Sequence, residues 1–517
     1  MKLIYDVKDK PKFGQTLVFA LQQLLAILAA TIAVPAIIGH GMSQSAALFG
    51  AGVGTIVYLL FTKFKSPVFL GSSFAFIGSM LAAFAGAISA QAGYAGIIIG
   101  AILAGLVYVV IAIVVKFAGV KWIAKLMPAV VIGPTVAIIG LSLAVNAVGD
   151  LQSMKYVQQH AAEEYQIVQS ADFKTDDDNG TIEFLSTGDT VSTAQTFVLD
   201  KDADVTKPVE LSKVHDEISV AANEDGTLAL TSTPGSTYVA LICGLVTLFT
   251  VILASVYGKR MAKLIPFIIG ILAGYIVALI FTLIGIKTGN NALRVIDLSV
   301  FKNMTFFAVP QFTFLEAFKG LKEINGTYIV TLVAAYVPVA FVVFAEHIAD
   351  HKNLSSIIES DLLEKPGLHR TLLGDGVGSM AGAFFGGCPN TTYGESVGCV
   401  AITRNASVVT ILATAILAII ISFFGPFVTF LASIPSCVMG GVCITLYGFI
   451  AVSGLKMLQP VDLNKNKNLF VAATILIAGI GGLTVSFGAV HITSIACALI
   501  LGIIVNLCVK GAKEDEE

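Results

Sequence analysis

Apolar runs separated by short polar breaks recur along almost the whole chain. Read from break to break, they predict fourteen segments: 14–38, 46–62, 71–85, 93–116, 127–148, 236–257, 264–285, 327–349, 368–386, 391–403, 407–424, 429–453, 469–486 and 488–509. A helix needs about 20 apolar residues to cross a bilayer, so 71–85 and 391–403 are too short to cross as helix alone. One stretch, 150–235, breaks the rhythm with polar sequence. Within it Thr181–Leu185, Thr196–Leu199, Ile218–Val220 and Thr227–Leu230 read as short strands, the last two flanking a turn signal at Asn223–Gly226. The pattern predicts an all-α polytopic membrane protein, with five segments in 14–148, a β-rich insertion over 150–235 and nine segments in 236–509.

Composition supports this and adds an orientation. The 517 residues are 56% hydrophobic and 13% charged, against about 45–50% and 25% in soluble domains. A water-facing surface over most of the chain is excluded. The net charge of −3 hides two unlike parts. Residues 150–235 hold 17 acidic residues and five lysines, a balance of −12, which leaves +9 on the rest. The basic residues recur at alternate connections. They include Lys63 and Lys65, Lys116 to Lys125, Lys259 to Lys263, Lys352 to Arg370, Arg404, Lys456 to Lys467, and Lys510 with Lys513. Short loops near 40, 90, 388, 426 and 487 have no Lys or Arg. Positive charge stays on the cytoplasmic side, so a cytoplasmic-membrane protein is expected with both termini inside and the insertion outside. The start, MKLIYDVKDKPKFGQ, is too polar for a cleaved signal peptide. The seven cysteines lie in or beside apolar stretches, without the spacing of a disulfide framework or a zinc site. Asp176–Gly180 is similar to part of a calcium loop but lacks the glutamate expected at position twelve. No cofactor or metal is expected.

In so apolar a chain, ionisable groups at membrane depth carry the functional information. The run from Tyr328 ends in Glu346, His347, Asp350 and His351. Glu346 and Asp350 are four apart and share one helical face. His347, His351 and Lys352 are expected at the cytoplasmic interface. A second cluster, Gly386–Glu395, contains Gly, Pro389 and Asn390, which disfavour continuous helix. It predicts extended backbone, then a half-helix beginning near Tyr393. Ser66–Phe76 is its counterpart in the first half, a Pro/Gly/Ser stretch opening a short apolar segment. The two interrupted segments are third and tenth, the same place in each set of seven, which points to a transporter site at the interface of inverted repeats. Carboxylate acceptors and free backbone N–H donors suit a small neutral planar ring with N–H and C=O groups on adjacent edges. A nucleobase fits; an anion would be repelled. Carboxyl groups there can also take up and release a proton. A passive channel would need a continuous polar stripe, and an enzyme a nucleophile triad, metal set or phosphate loop; the sequence displays neither. Nucleic acid is not an expected partner.

At these residues the chain resembles the nucleobase–ascorbate transporter family, in particular its uracil-transporting bacterial branch. The resemblance is carried by Gln22 with Ala30–Pro35, by Gly71–Phe76, Ala345–Ile348, Pro366–Arg370, Pro389–Glu395 and Ala401–Arg404, and covers the chain outside 150–235. It implies fourteen segments as two inverted repeats of seven. Segments 1–4 and 8–11 would form a core domain, and 5–7 and 12–14 a gate domain. It implies that Glu346 and Glu395 accept hydrogen bonds from the base, that backbone N–H groups of Phe74 and Gly394 meet its carbonyls, and that Ala30 and Tyr393 line the pocket. Proton coupling would fall to Glu346, Asp350 and His347, with a homodimer formed through the gate. Some positions depart from the family pattern. Ser396 stands where Asn is usual, and Gln23 where His is common. Asp350 is more typical of xanthine and urate members, whereas Glu395, in place of Gln, favours uracil. The implied activity is proton-coupled nucleobase uptake, of uracil in the first place and xanthine as the alternative.

Overall fold

The computed structural model describes residues 3–119, 128–152, 236–259, 261–302, 304–487 and 490–509, with six short strands inside the insertion. Lys121, Lys125, Arg260, Lys510, Lys513, the calcium-like stretch after Asp176 and the turn at Asn223–Gly226 lie outside the described residues. A helix occupies each predicted segment. In chain order these are α1 (Phe13–Ile38), α2 (Gln44–Phe61), α3 (Phe74–Ala85), α4 (Ala90–Ala118), α5 (Ala129–Gln152), α6 (Thr237–Tyr257) and α7 (Pro266–Thr288). They continue as α8 (Gly326–Ile358), α9 (Leu368–Gly386), α10 (Gly394–Thr403), α11 (Val408–Ser422), α12 (Ser436–Met457), α13 (Asn466–Ile480) and α14 (Ser494–Val509). Among the described residues, eight helices are long and apolar enough to cross a membrane: α1, α2, α4 to α8 and α12. Helix starts follow local chemistry. The side chains of Ser43, Ser89 and Asn325 cap α2, α4 and α8 by accepting from the N–H groups of Ala46, Ala92 and Tyr328.

The chain is a polytopic helical membrane protein. Its outer faces carry apolar side chains at helical spacing, such as Ile102, Leu106, Val110 and Ile113 on α4, as a lipid-facing surface requires. Inside, helices approach through small residues. On α2, a Cβ at Gly54 would meet the Gly378 carbonyl of α9 at 2.7 Å, and one at Gly50 the Gly382 carbonyl at 2.5 Å. Within the insertion Phe173–Asp176, Thr181–Phe184 and Thr190–Ser192 form one antiparallel sheet. Thr196–Phe197, Ile218–Ala222 and Leu228–Ser232 form another, with Ala222 opposite Leu228.

Three stretches differ from expectation. Helix α8 runs nine residues past the predicted end at 349, because its polar turns are packed in protein rather than leaving the membrane. His347 and His351 are completely buried, not interfacial; Lys352 alone of the three is exposed. Segments 13 and 14 are shortened by a hairpin: α13 ends at Gly481-Gly482, and Val485–Phe487 then pairs with Val490–Ile492. A short helix, Gly425–Ala432, precedes α12, whose start is set by Pro435.

Candidate functional site

Two prolines set up the centre of the molecule. Pro67 and Pro389 lack the N–H a helix needs, and the backbone after each runs extended. Strands β1 (Leu70–Ser72) and β2 (Asn390–Thr392) pair antiparallel, with Leu70 opposite Thr392, Gly71 opposite Thr391 and Ser72 opposite Asn390. Further bonds lock the pair: Ser73 N–H donates to Pro389 O at 2.9 Å, and the Tyr393 hydroxyl to Ser72 O at 2.7 Å. Strand β1 leads into α3 and β2 into α10, so two helices from opposite halves of the chain begin beside one short sheet. The first N–H groups of a helix have no partner within it, and here those of Phe74 and Gly394 stand at the two starts.

A cavity of about 310 Å³ opens at this crossing. One wall is polar, with Glu346 and Asp350 from α8, Thr391, Thr392, Tyr393 and Gly394 from the β2–α10 junction, and Glu395 from the first turn of α10. Ser73, Phe74 and Ala75 complete it from α3. The facing wall is apolar apart from Ser453: Val136 and Ile139 of α5, with Leu446, Phe449, Ile450 and Met457 of α12. The face shared by Glu346 and Asp350 points into the cavity, and Asp350 Oδ2 accepts from Thr392 Oγ1 at 2.9 Å. Of the residues singled out in the sequence, Glu346, Asp350, Glu395, Phe74, Tyr393 and Gly394 come together here; Ala30 and His347 do not line the cavity. The α5 and α12 wall was not singled out, since its residues follow ordinary helical spacing inside uniformly apolar helices.

His347 faces the opposite way, into the packing of α8 against α9. Its Nδ1 lies 2.7 Å from Asp375 Oδ2, and its Nε2 3.0 Å from Thr371 Oγ1. Thr371 spends its hydroxyl proton on Leu368 O, so His347 Nε2–H is the donor to Thr371. A neutral ring then has only a lone pair left at Nδ1. The Asp375–His347 contact therefore contains one shared proton, and the pair carries no net charge, which allows its complete burial. One turn on, His351 Nδ1 donates to His347 O at 2.8 Å, and His351 Nε2 meets the Tyr58 hydroxyl at 2.7 Å. Asp375 was missed because it sits alone in a Gly-rich helix, 28 residues from its partner.

The chain matches the family model described as "Permease family" over residues 14–173 and 218–487. It is 35% identical to the uracil permease of Bacillus caldolyticus over 519 residues, covering 100% of this chain and 97% of that protein. The chain belongs to the nucleobase–ascorbate transporter family of permeases. The uracil permease of Escherichia coli (strain K12) is 32% identical, over 98% of this chain and 93% of the relative. Among solved structures, the transmembrane domain of a cyanobacterial bicarbonate transporter, BicA, superposes with a TM-score of 0.56. At 14% identity, with 97% of this chain and 99% of that one covered, it shares the fold. This permease is a transporter by kinship, not an enzyme.

In this member of the family the two unusual positions, Gln23 and Ser396, touch each other. Gln23 Nε2 donates to Ser396 Oγ at 2.6 Å, and the same oxygen accepts from Phe69 N–H at 3.0 Å. One buried hydroxyl thus ties α1, the approach to β1 and the first turn of α10. Gln is longer than the His it replaces, and Ser is shorter than Asn, so reach is exchanged between partners.

Proposed function

We propose that this permease imports a nucleobase, uracil in preference to xanthine, across the cytoplasmic membrane by proton-coupled alternating access. The observation that carries the reading is the meeting of Glu346 and Glu395 with the starts of α3 and α10 in one cavity. Two carboxylates accept from the N–H edge of a pyrimidine, and the N–H groups of Phe74 and Gly394 donate to its carbonyls. The full-length likeness to permeases named for uracil supports the same substrate. Asp350 favours xanthine by its family preference and Glu395 favours uracil; a competition panel of unlabelled bases decides between them.

In this reading α1–α4 and α8–α11 form the core, α5–α7 and α12–α14 the gate, and all fourteen segments lie in the membrane as two inverted sevens. A proton on the Glu346/Asp350 pair neutralises the cavity and favours the loaded state; its loss toward the cytoplasm weakens that state and releases the base. A proton can drive the cycle only through its different affinity for the two facing states. His347, sealed behind α8 with Asp375, acts through the helix rather than on the base. Positive charge at alternate connections places both termini inside and the 150–235 insertion outside, and two chains associate through their gates. The test is uptake of labelled uracil into proteoliposomes. An inward proton gradient should accelerate accumulation above the level reached without one. Equal uptake under both conditions defeats the coupling, and uptake that never saturates favours a passive pore.

A further inference from the structure

A second cavity, of about 380 Å³, lies away from the first, where the α1–α2 loop meets the two chain connections between gate and core. Its walls are Gly41 to Ser45, Val309 and Gln311 from the α7–α8 connection, and Val428 and Ala432 from the helix Gly425–Ala432. No lining residue is charged. Gln44 Oε1 is buried there without a hydrogen-bond partner, and leaving such an oxygen unmet costs about 1–3 kcal/mol. It calls for a donor from outside the chain. Gln311, exposed on the facing wall, offers a side-chain amide able to donate or accept. Met42, Val428 and Ala432 supply apolar surface between them.

We infer that this cavity is a second binding site for a small, neutral, planar ring bearing amide-like N–H and C=O groups. The chemistry excludes the alternatives in turn. An ion finds no counter-charge, and an apolar molecule leaves the Gln44 oxygen unmet. A ring with an N–H edge satisfies Gln44, its carbonyl meets the Gln311 amide, and its face lies on Val428 and Ala432. This is the same ligand class as the central cavity, and to that extent the inference rests on the nucleobase reading.

The position gives the site a consequence. The two connections are joined to each other: Ala308 N–H donates to Phe423 O at 2.9 Å, and Gly425 N–H to Phe306 O at 3.0 Å. A ligand held between them and the α1–α2 loop touches both the core and the links that carry the gate. Its affinity therefore differs between facing states, and its occupancy biases the transport equilibrium.

Equilibrium dialysis of the purified full-length protein in detergent, with labelled uracil carried to high concentration, tests this. The expected result is a tight and a weaker class of site. Gln44→Leu and, separately, Gln311→Ala should weaken the weaker class tenfold or more and leave the tight class in place. Gln311 is exposed, so its variant folds even if the change at Gln44 disturbs the start of α2. A single class in the unaltered protein, or a weaker class that neither variant shifts, overturns the inference and leaves the cavity to water. The central assignment is read separately: Glu395→Gln should weaken only the tight class, and its failure there leaves the outer result standing.

Discussion

Glu395 differs from its amide analogue by charge and hardly at all by shape, which makes it the sharpest probe of the cavity. A hydrogen bond to a charged acceptor contributes about 1.5–3 kcal/mol and one to a neutral acceptor about 0.5–1.5 kcal/mol. Glu395→Gln is expected to weaken uracil binding by about 1–2 kcal/mol, roughly five- to thirtyfold. Equilibrium dialysis reads this, and unchanged affinity removes Glu395 from the site. Ser396, the next residue, has a structural task. Its Oγ meets both Gln23 and Phe69 N–H in a region that is almost completely buried. Ser396→Ala leaves two buried donors unmet and should destabilise the fold by about 1–3 kcal/mol for each, seen as a lower unfolding midpoint in detergent. Gln23→Leu combined with Ser396→Ala should cost less than the two single changes added together, because each single change orphans the other partner. Strict additivity would show that the contact has no energetic weight.

Among the elements, the two interrupted segments owe their position to close helix packing. A methyl group at Gly54 would collide with a backbone carbonyl of α9 at 2.7 Å and with Asn390 Nδ2 at 2.6 Å. Neither α9 nor β2 can retreat without carrying the binding residues along. Gly398 on α10 has nothing within 4 Å of the same construction. Gly54→Ala should therefore destabilise by about 1–3 kcal/mol, the usual result of overpacking, and lower uptake. Gly398→Ala should be neutral or stabilising by up to about 1 kcal/mol through helix propensity. Thermal unfolding of the two variants side by side checks the contrast. These elements also mark what a sequence can disclose. Pro67, Pro389 and the glycines around them announced both breaks, because a missing N–H acts locally. The partnership of β1 with β2 is pairing across more than 300 residues, visible beforehand only as matching positions in two halves. The Val485–Ile492 hairpin went unseen, since apolar residues between two helices read alike at period 2 and period 3.6 over so few positions. His347 was misjudged for a related reason: polar residues ending an apolar run look the same whether they reach water or a buried aspartate.

On the scale of the molecule the cavity is lopsided, and the lopsidedness bears on how it could move. The polar groups described above, apart from Ser453, belong to α1–α4 and α8–α11. The hydrogen bonds that hold them, from Gln23–Ser396 to Thr392–Asp350 and His347–Asp375, join those elements to one another. Across the seam the contacts are apolar, as where the Phe74 ring meets Tyr447 edge-on at 5.9 Å. Dispersion and hydrophobic contacts are non-directional, so one body can shift against the other without breaking specific bonds. Placing a directional, charged link on the apolar wall should then arrest transport without unfolding the protein. Ile450 is suited to this, being half-buried on α12 and lining the same cavity as Glu346 and Asp350. Ile450→Lys brings an ammonium group to the carboxylates on a flexible stem that can reach across or withdraw to solvent. The expected outcome is uptake reduced tenfold or more, with an unfolding midpoint close to that of the unaltered protein. Ile450→Met, similar in length and uncharged, should retain most of the uptake. If the lysine variant transports as well as the methionine variant, the seam does not have to slide past these carboxylates, and the division into a moving core and a gate fails.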